Sequence, residues 1–239
     1  MSLIHKYIIW FGAGLFGIVN VFAQTPQDDM IRMNKKIILA TAYDVELEMK
    51  IYKDEHDAKP LYSYNGHTCR DGNKYFVSMM DRITLISENT VLLVDKRQHM
   101  ILYRPMDKNN AGTPSMLSGL NVDSLVKSVY QNVVYVSNTS DLKVIEIRNP
   151  GGDFKSIRFS IDAKTDMLKE LVYVYSDEVK KNTQNARAVI SFKSIKLGAV
   201  KDPVVFSDKQ YISRKGKKVN PIGLYKAYKL VDQSEIVIE

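Results

Sequence analysis

Apolar and polar residues alternate along residues 43–51, where tyrosine, valine, leucine, methionine and isoleucine occupy every second position. The positions between them hold Asp44, Glu46, Glu48 and Lys50. A period of two is typical of a strand with one apolar face and one solvated face. The sequence therefore predicts that a mostly antiparallel sheet begins here and that these acidic residues face solvent.

Nine later stretches are short, rich in β-branched or aromatic residues and bounded by turn residues, which is typical of strands. They cover residues 75–80, 83–87, 90–94, 100–103, 133–137, 144–148, 157–161, 171–175 and 188–197. Residues 96–97 and 163–166 have the composition of hairpin loops. In the last stretch the apolar positions change phase, and a β-bulge near Lys193 is predicted because it returns them to one face.

Two short amphipathic helices accompany these strands. The first begins at Thr25, whose side chain can cap free N–H groups, with Pro26 and Asp28 in its first turn. Its apolar face holds Met30, Met33, Ile37 and Ile38. The second follows Asn121 and has its apolar residues at Val122, Leu125, Val126 and Val129. Two helices cannot cover both faces of so many strands, so we predict an α+β fold that is mainly antiparallel β, a curved half-barrel sheet closed by short helices.

The first 23 residues predict a secretory signal peptide. Lys6 precedes an apolar stretch over residues 7–19, and Val21 and Ala23 are small enough for the positions that a signal peptidase reads. The stretch is shorter than the roughly 20 residues that cross a bilayer, which disfavours the alternative of an uncleaved anchor. We therefore expect a mature chain that begins at Gln24 and lies in the periplasm.

The composition is that of a globular protein. The chain has 239 residues, 45% of them hydrophobic, and a formal net charge of +7. These values disfavour disordered and multi-spanning membrane chains. The single cysteine, Cys69, cannot form an internal disulfide or a cysteine-based zinc or iron–sulfur cage.

Catalytic motifs are absent from the sequence. It contains no Gly-x-Ser-x-Gly, no His-Glu-x-x-His and no phosphate-binding glycine loop. His67 and Cys69 are two residues apart and would project to the same side of an extended stretch, but two ligands are too few for a zinc or copper site. We therefore predict no catalytic residues, no metal and no other cofactor, and a protein that is not an enzyme.

Two segments carry a family resemblance. Residues 86–95, ISENTVLLVD, resemble a hairpin with a polar turn before an apolar strand that ends in Asp, and residues 188–197 followed by 202–206 resemble a late strand and a closing Phe. On these segments the chain is similar to the periplasmic lipoprotein carrier and receptor family, the LolA/LolB-like proteins. The resemblance covers residues 28–206, so residues 24–239 are expected to form a single LolA-like domain in which residues 207–239 are a C-terminal extension.

The resemblance implies an incomplete β-barrel whose open side is plugged by helices, and an exported protein that carries the acyl chains of lipoproteins or other lipids in an apolar cavity. Flexible methionine side chains suit such a lining, although ordinary core packing is the alternative for each of them. The candidate lipid-binding residues are Met30, Met33, Val45, Leu47, Met49, Met79, Leu92 and Phe192. The competing hypothesis is a non-enzymatic scaffold or interaction subunit of a cell-envelope assembly or secretion machine.

A basic turn near the C-terminus is a candidate contact with phospholipid head groups or envelope membrane proteins. Its cations, which surround Gly216, are Arg214, Lys215, Lys217 and Lys218. A solvated turn is the alternative. Export makes nucleic acid an unsuitable partner, and we expect a monomer.

Overall fold

The computed structural model describes residues 24–106, 132–216 and 218–234. Its helices are α1 (Pro26–Ile38) and α2 (Asp177–Thr183). Its strands are β1 (Ala42–Tyr52), β2 (Tyr62–Asp71), β3 (Lys74–Met79), β4 (Arg82–Ile86), β5 (Thr90–Asp95), β6 (Met100–Pro105), β7 (Val133–Asn138), β8 (Leu142–Gly151), β9 (Phe154–Asp162), β10 (Leu168–Tyr175), β11 (Arg187–Leu197), β12 (Ile212–Lys215), β13 (Lys218–Pro221) and β14 (Lys229–Asp232).

The predicted signal peptide and the helix predicted after Asn121 lie outside the described residues. Within the described part of the chain, no helix is long and apolar enough to cross a membrane.

Twelve strands form one open sheet in the order β14-β6-β5-β4-β3-β2-β1-β11-β10-β9-β8-β7. Two meanders, β1 to β6 and β7 to β11, meet where β1 pairs with β11. Every pair in the sheet is antiparallel except β14 with β6. Among the described residues the sheet ends at β14 and β7 and does not close into a barrel, so the prediction of a mainly antiparallel open sheet with few helices is confirmed.

Helix α1 begins where the sequence predicts. The Thr25 side chain accepts a hydrogen bond from the N–H of Asp28, and the Asp28 side chain accepts one from the N–H of Thr25. This capping box satisfies donors that the first helical turn leaves free. Met30 and Met33 are buried against the inner face of the β7 to β11 meander. Ile38, predicted to share that apolar face, is 47% exposed because it is the last residue of the helix.

The C-terminal extension covers the opposite, outer face of the β2 to β6 meander. There Tyr211 and Ile212 of the extension, with Phe206 just before it, are buried against strand residues such as Leu85 and Leu92. The β12–β13 hairpin stands at the predicted basic turn, and β14 adds a strand beside β6. The two halves of the sheet are therefore covered on different faces, one by α1 and the other by the extension.

The strand pairing confirms the predicted bulge, and the structure adds four strands that were not predicted, β2, β12, β13 and β14. Glu46 pairs with Ser194 and Leu47 pairs with Phe192, so Lys193 is the extra residue in β11. Strand β2 was not predicted, because its polar sequence with Gly66 shows no alternation. The structure places it between β1 and β3, where its backbone is hydrogen-bonded on both sides.

Candidate functional site

An apolar cleft opens between the C-terminal half of α1 and the inner face of the sheet. Four elements of the sheet, β1, β9, β10 and β11, form its floor. Its lining residues are Met33, Asn34, Ile37, Tyr43, Val45, Phe159, Leu168, Phe192, Ile195 and Leu197. The lining is hydrocarbon apart from the amide of Asn34 and the phenol of Tyr43, so the cleft favours an apolar occupant.

The β-bulge at Lys193 shapes the floor of the cleft. Phe192 and Ile195 are three residues apart, and in a regular strand they would point to opposite faces. Because Lys193 is the extra residue, both side chains reach the inner face, where they pair with Leu47 and Val45 of β1. The bulged residue itself faces out and forms an ion pair with Glu48, with Nζ 2.8 Å from the carboxylate.

Two polar groups that line the cleft, the side-chain amide of Asn34 and the hydroxyl of Tyr43, lack a hydrogen-bond partner among the described residues. Asn34 is 5% exposed, and its Nδ2 has no hydrogen-bond partner among the described residues. A buried donor in this state costs about 1–3 kcal/mol, so a ligand oxygen that accepts its hydrogen bond would bind favourably. Burial, with Tyr75 nearby, raises the pKa of Tyr43, so the second polar side chain of the cleft stays neutral.

The side chains leave little free volume in the cleft. Centres of water molecules fit in only about 20 Å³, which is close to the space that one buried water needs. An acyl chain therefore requires the lining to move apart. Met33 and Ile37 of α1 lie on one side of this space, and the sheet lies on the other.

The mouth of the cleft is apolar and exposed. Leu197 lines the cleft and is 38% exposed, while Ile38 and Leu39, which follow the lining residue Ile37, are 47% and 75% exposed. Exposed aliphatic side chains next to an apolar cleft are typical of a site where an apolar ligand or a partner enters.

The two ends of α1 are held differently. At the N-terminal end, Asp29 is 1% exposed, accepts a hydrogen bond from the hydroxyl of Tyr135 at 2.7 Å and pairs with Nζ of Lys143 at 3.0 Å. At the C-terminal end, the exposed Lys36 contacts the carbonyl of Thr165 and the carboxylate of Asp166. Exposed pairs contribute about 0–1 kcal/mol, so the end beside the cleft is the weaker attachment.

The structure brings some of the predicted lipid-binding residues together. Met33, Val45 and Phe192 line the cleft, and Met30 is buried in the adjoining cluster. Leu47, Met49 and Met79 lie on the same inner face of the sheet according to the strand register, but they do not line the cleft.

Leu92 is not brought into this group. The register of β5 places it on the outer face, where it is fully buried beneath the C-terminal extension. Its strand was predicted correctly, but residues 91–94 are all apolar, so the sequence does not show which face each side chain takes.

Seven lining residues were not among the sequence candidates: Asn34, Ile37, Tyr43, Phe159, Leu168, Ile195 and Leu197. Some of them lie in the apolar patterns that predicted α1, β1 and β11, so the signal that could have found them was present. Asn34 carries no such signal, because its role depends on what packs around it.

Two predictions about charged residues change. Asp44, predicted with Glu46 and Glu48 to form a solvated face, is only 4% exposed and receives the backbone N–H of Lys201 at 2.8 Å. This part of the prediction is wrong, because a loop distant in sequence covers the carboxylate.

Within the predicted basic turn, Arg214 contacts the Asp208 carboxylate and the Thr90 hydroxyl, so its guanidinium is engaged inside the protein. Lys215 and Lys218 are exposed, and Lys217 lies outside the described residues.

No family model and no curated protein matches the chain. Several solved structures align with it at low identity. An uncharacterized conserved protein from Thermus thermophilus is 10% identical, with a TM-score of 0.45 over 86% of this chain and 98% of that one. A chain of the Pseudomonas aeruginosa MucA/MucB complex is 6% identical, with a TM-score of 0.45 over 83% of this chain and 64% of that one.

A LolA superfamily protein from Nitrosomonas europaea is 10% identical, with a TM-score of 0.33 over 77% of this chain and 99% of that one. The matched structures therefore include a member of the superfamily that the sequence resembles.

Proposed function

We propose that this protein is an exported, non-enzymatic carrier that binds an acyl chain of a lipid or lipoprotein in the cleft under α1. The observation that carries the proposal is the cleft itself, which is apolar along its floor and roof and has an exposed aliphatic mouth at Leu197, Ile38 and Leu39. Each methylene buried there contributes about 0.8 kcal/mol, so a chain of about 14 carbons gains on the order of 11 kcal/mol before ordering costs.

Opening of the cleft starts at the C-terminal end of α1 in this proposal. The buried contacts of Asp29 hold the other end, while Lys36 and Asp166 form an exposed pair that costs about 0–1 kcal/mol to break. Outward tilt of the helix end moves Met33 and Ile37 away from the sheet. Met33 can then repack against the ligand, because its thioether side chain is unbranched and flexible.

Asn34 gives the cleft a preference for acyl groups over plain hydrocarbons. Its unpaired Nδ2 can donate to the carbonyl oxygen of an ester or amide. Asn34→Leu removes the donor while keeping a side chain of similar size. We expect this variant to bind a long-chain acyl ester about tenfold more weakly and to bind an alkane probe of equal length unchanged.

Catalysis is not part of the proposal. The polar side chains that line the cleft are Asn34 and Tyr43, and neither is a nucleophile with an adjacent base. Burial keeps the Tyr43 phenol protonated by raising its pKa.

A scaffold or interaction subunit of an envelope assembly is the second candidate function. The narrowness of the cleft favours it, because the side chains already occupy most of the interior. In that case the exposed residues at the cleft mouth would contact a partner protein rather than admit a ligand.

Native mass spectrometry of the protein purified from its own periplasm, followed by titration with a fluorescent long-chain fatty acid, separates the two candidates. The carrier retains a lipid or takes up the probe, and Ile195→Asp in the cleft lowers uptake at least tenfold. Val189→Asp is the matched control, because Val189 is half-buried on the opposite face of the same strand. An apo mass without uptake in the native protein refutes the carrier.

A further inference from the structure

Three potential metal ligands from two neighbouring strands meet on the outer face of the sheet. Asp44 of β1 pairs directly with Cys69 of β2, and His67 lies two residues earlier on the same face of β2. The Nε2 atom of His67 is 2.9 Å from Oδ1 of Asp44 and 3.0 Å from Sγ of Cys69. The three ligand atoms all lie within 4.8 Å of one another.

In the absence of an ion, hydrogen bonds link the three side chains through Nε2 of His67. In neutral histidine, Nε2 carries either a proton or a lone pair. If it carries the proton, it donates to Asp44, and the Cys69 thiol can donate to the same carboxylate; if it carries the lone pair, it can accept the thiol proton but cannot donate to Asp44. A cation placed between the three atoms satisfies all of them at once, because each offers it a lone pair.

We propose that Asp44, His67 and Cys69 bind one zinc ion, with a fourth coordination position left for water. Sulfur, imidazole nitrogen and carboxylate oxygen are the ligands that zinc takes in proteins. Tetrahedral zinc with bonds of about 2.0 Å to N and O and about 2.3 Å to S separates these atoms by roughly 3.3–3.6 Å. The two contacts that Nε2 of His67 makes therefore need to widen by only about half an ångström, which side-chain rotation supplies.

The surroundings support a bound cation. The second carboxylate oxygen of Asp44 accepts a hydrogen bond from the backbone N–H of Lys201. This bond fixes the orientation of the carboxylate, as hydrogen bonds to the ligands do in metal sites. Asp44 and Cys69 are buried, while the His67 side chain is 33% exposed and leaves a path for the ion and for water. One carboxylate and one thiolate balance the charge of Zn²⁺.

The ion must displace the thiol proton. Burial, together with the charge of Asp44, raises the pKa of Cys69 to about 12, so the sulfur is protonated when no ion is bound. Binding a divalent ion deprotonates a coordinating thiol and releases its proton.

This site is independent of the carrier proposal. Asp44 and Cys69 lie on the outer face of the sheet, and the lining of the cleft is on the inner face. By holding β1, β2 and the loop at Lys201 together, the ion would stabilise the point where the chain leaves the sheet towards the C-terminal extension.

The test uses the purified protein, stripped with a chelator and titrated with Zn²⁺ against a chromophoric competitor, and with Co²⁺ as a spectroscopic probe. We expect one ion per chain and a thiolate-to-cobalt charge-transfer band. Cys69→Ser should abolish the band, and His67→Gln should weaken zinc binding at least about tenfold. His56→Gln, at an exposed histidine outside the cluster, is the matched control and should leave binding unchanged.

Thermal unfolding gives a second measurement that does not depend on Cys69→Ser folding well. At concentrations above its dissociation constant, Zn²⁺ should raise the unfolding temperature of the native protein in proportion to the logarithm of the zinc concentration. His67→Gln should lose this increase. A native protein that binds no zinc, or binds it with equal strength after both Cys69→Ser and His67→Gln, overturns the proposal. Loss of fatty acid uptake has no bearing on this result.

Discussion

The buried attachment of α1 to the sheet can be tested by removing one carboxylate. Asp29 is 1% exposed and contacts the Arg32 guanidinium, the Tyr135 hydroxyl and the Lys143 ammonium. The Lys143 side chain is itself only 11% exposed, so Asp29→Ala leaves an ammonium buried without its partner.

Breaking a buried ion pair by removing one partner costs about 3–5 kcal/mol, because the remaining charge keeps its desolvation penalty. For a chain of this size, 1 kcal/mol shifts the melting temperature by about 2–4 °C, so Asp29→Ala should lower it by roughly 6–20 °C. The double variant Asp29→Ala/Lys143→Met removes both charges, and we expect it to recover most of the loss.

Chemical denaturation and calorimetry of Asp29→Ala, Lys143→Met and the double variant measure this coupling directly. Asp28→Ala is the comparison, because Asp28 is an exposed neighbour in the same helical turn and its loss removes only the capping-box hydrogen bonds, which should cost about 0.5–2 kcal/mol. Equal losses in Asp28→Ala and Asp29→Ala, or a double variant as unstable as Asp29→Ala, would refute the assignment of Asp29 as the anchor of the helix.

Two further predictions concern the inner sheet and the bulge. Gly66→Ala should destabilise the protein by about 1–3 kcal/mol in urea unfolding, because the added Cβ would lie 2.6 Å from Cδ1 of Leu47. Adding Leu47→Val should restore part of the lost stability. An unchanged urea midpoint in Gly66→Ala contradicts this prediction. Glu48, whose carboxylate is hydrogen-bonded by Lys193, Lys50 and Ser63, has its pKa lowered from 4.5 to about 2. The contribution of Glu48 to stability is present above about pH 4.5 and is lost as the pH falls towards 2. Between these pH values, the unfolding free energy of Glu48→Gln should fall less than that of the native protein. Identical dependence of the unfolding free energy on pH in the two proteins refutes this role of Glu48.

Local patterns in the sequence were sufficient for the elements that have one buried face. The helix start at Thr25, strand β1 and the bulge at Lys193 all depend on residues close together in the chain, and the structure confirms each. The open antiparallel sheet follows from the same patterns, because so many half-buried strands need one another to bury their apolar faces.

Long-range packing explains the errors. Leu92 lies in a strand that is apolar on both faces, since the C-terminal extension covers the outer one. Asp44 is buried beneath the loop at Lys201, which lies 157 residues later in the chain and donates a backbone hydrogen bond to its carboxylate. Asn34 becomes a polar point in an apolar cleft only through the side chains that surround it. None of these relations can be detected within a window of a few residues.

The pairing of β1 with β11 has a consequence for how the polypeptide reaches its native state. Tyr43 and Leu197, which are partners in this ladder, are 154 positions apart. Such a high contact order slows folding, because a long loop must close before its contacts contribute. The first meander therefore has β1 unpaired on one side until β11 is available to pair with it. Conditions that delay this pairing should expose that edge to aggregation.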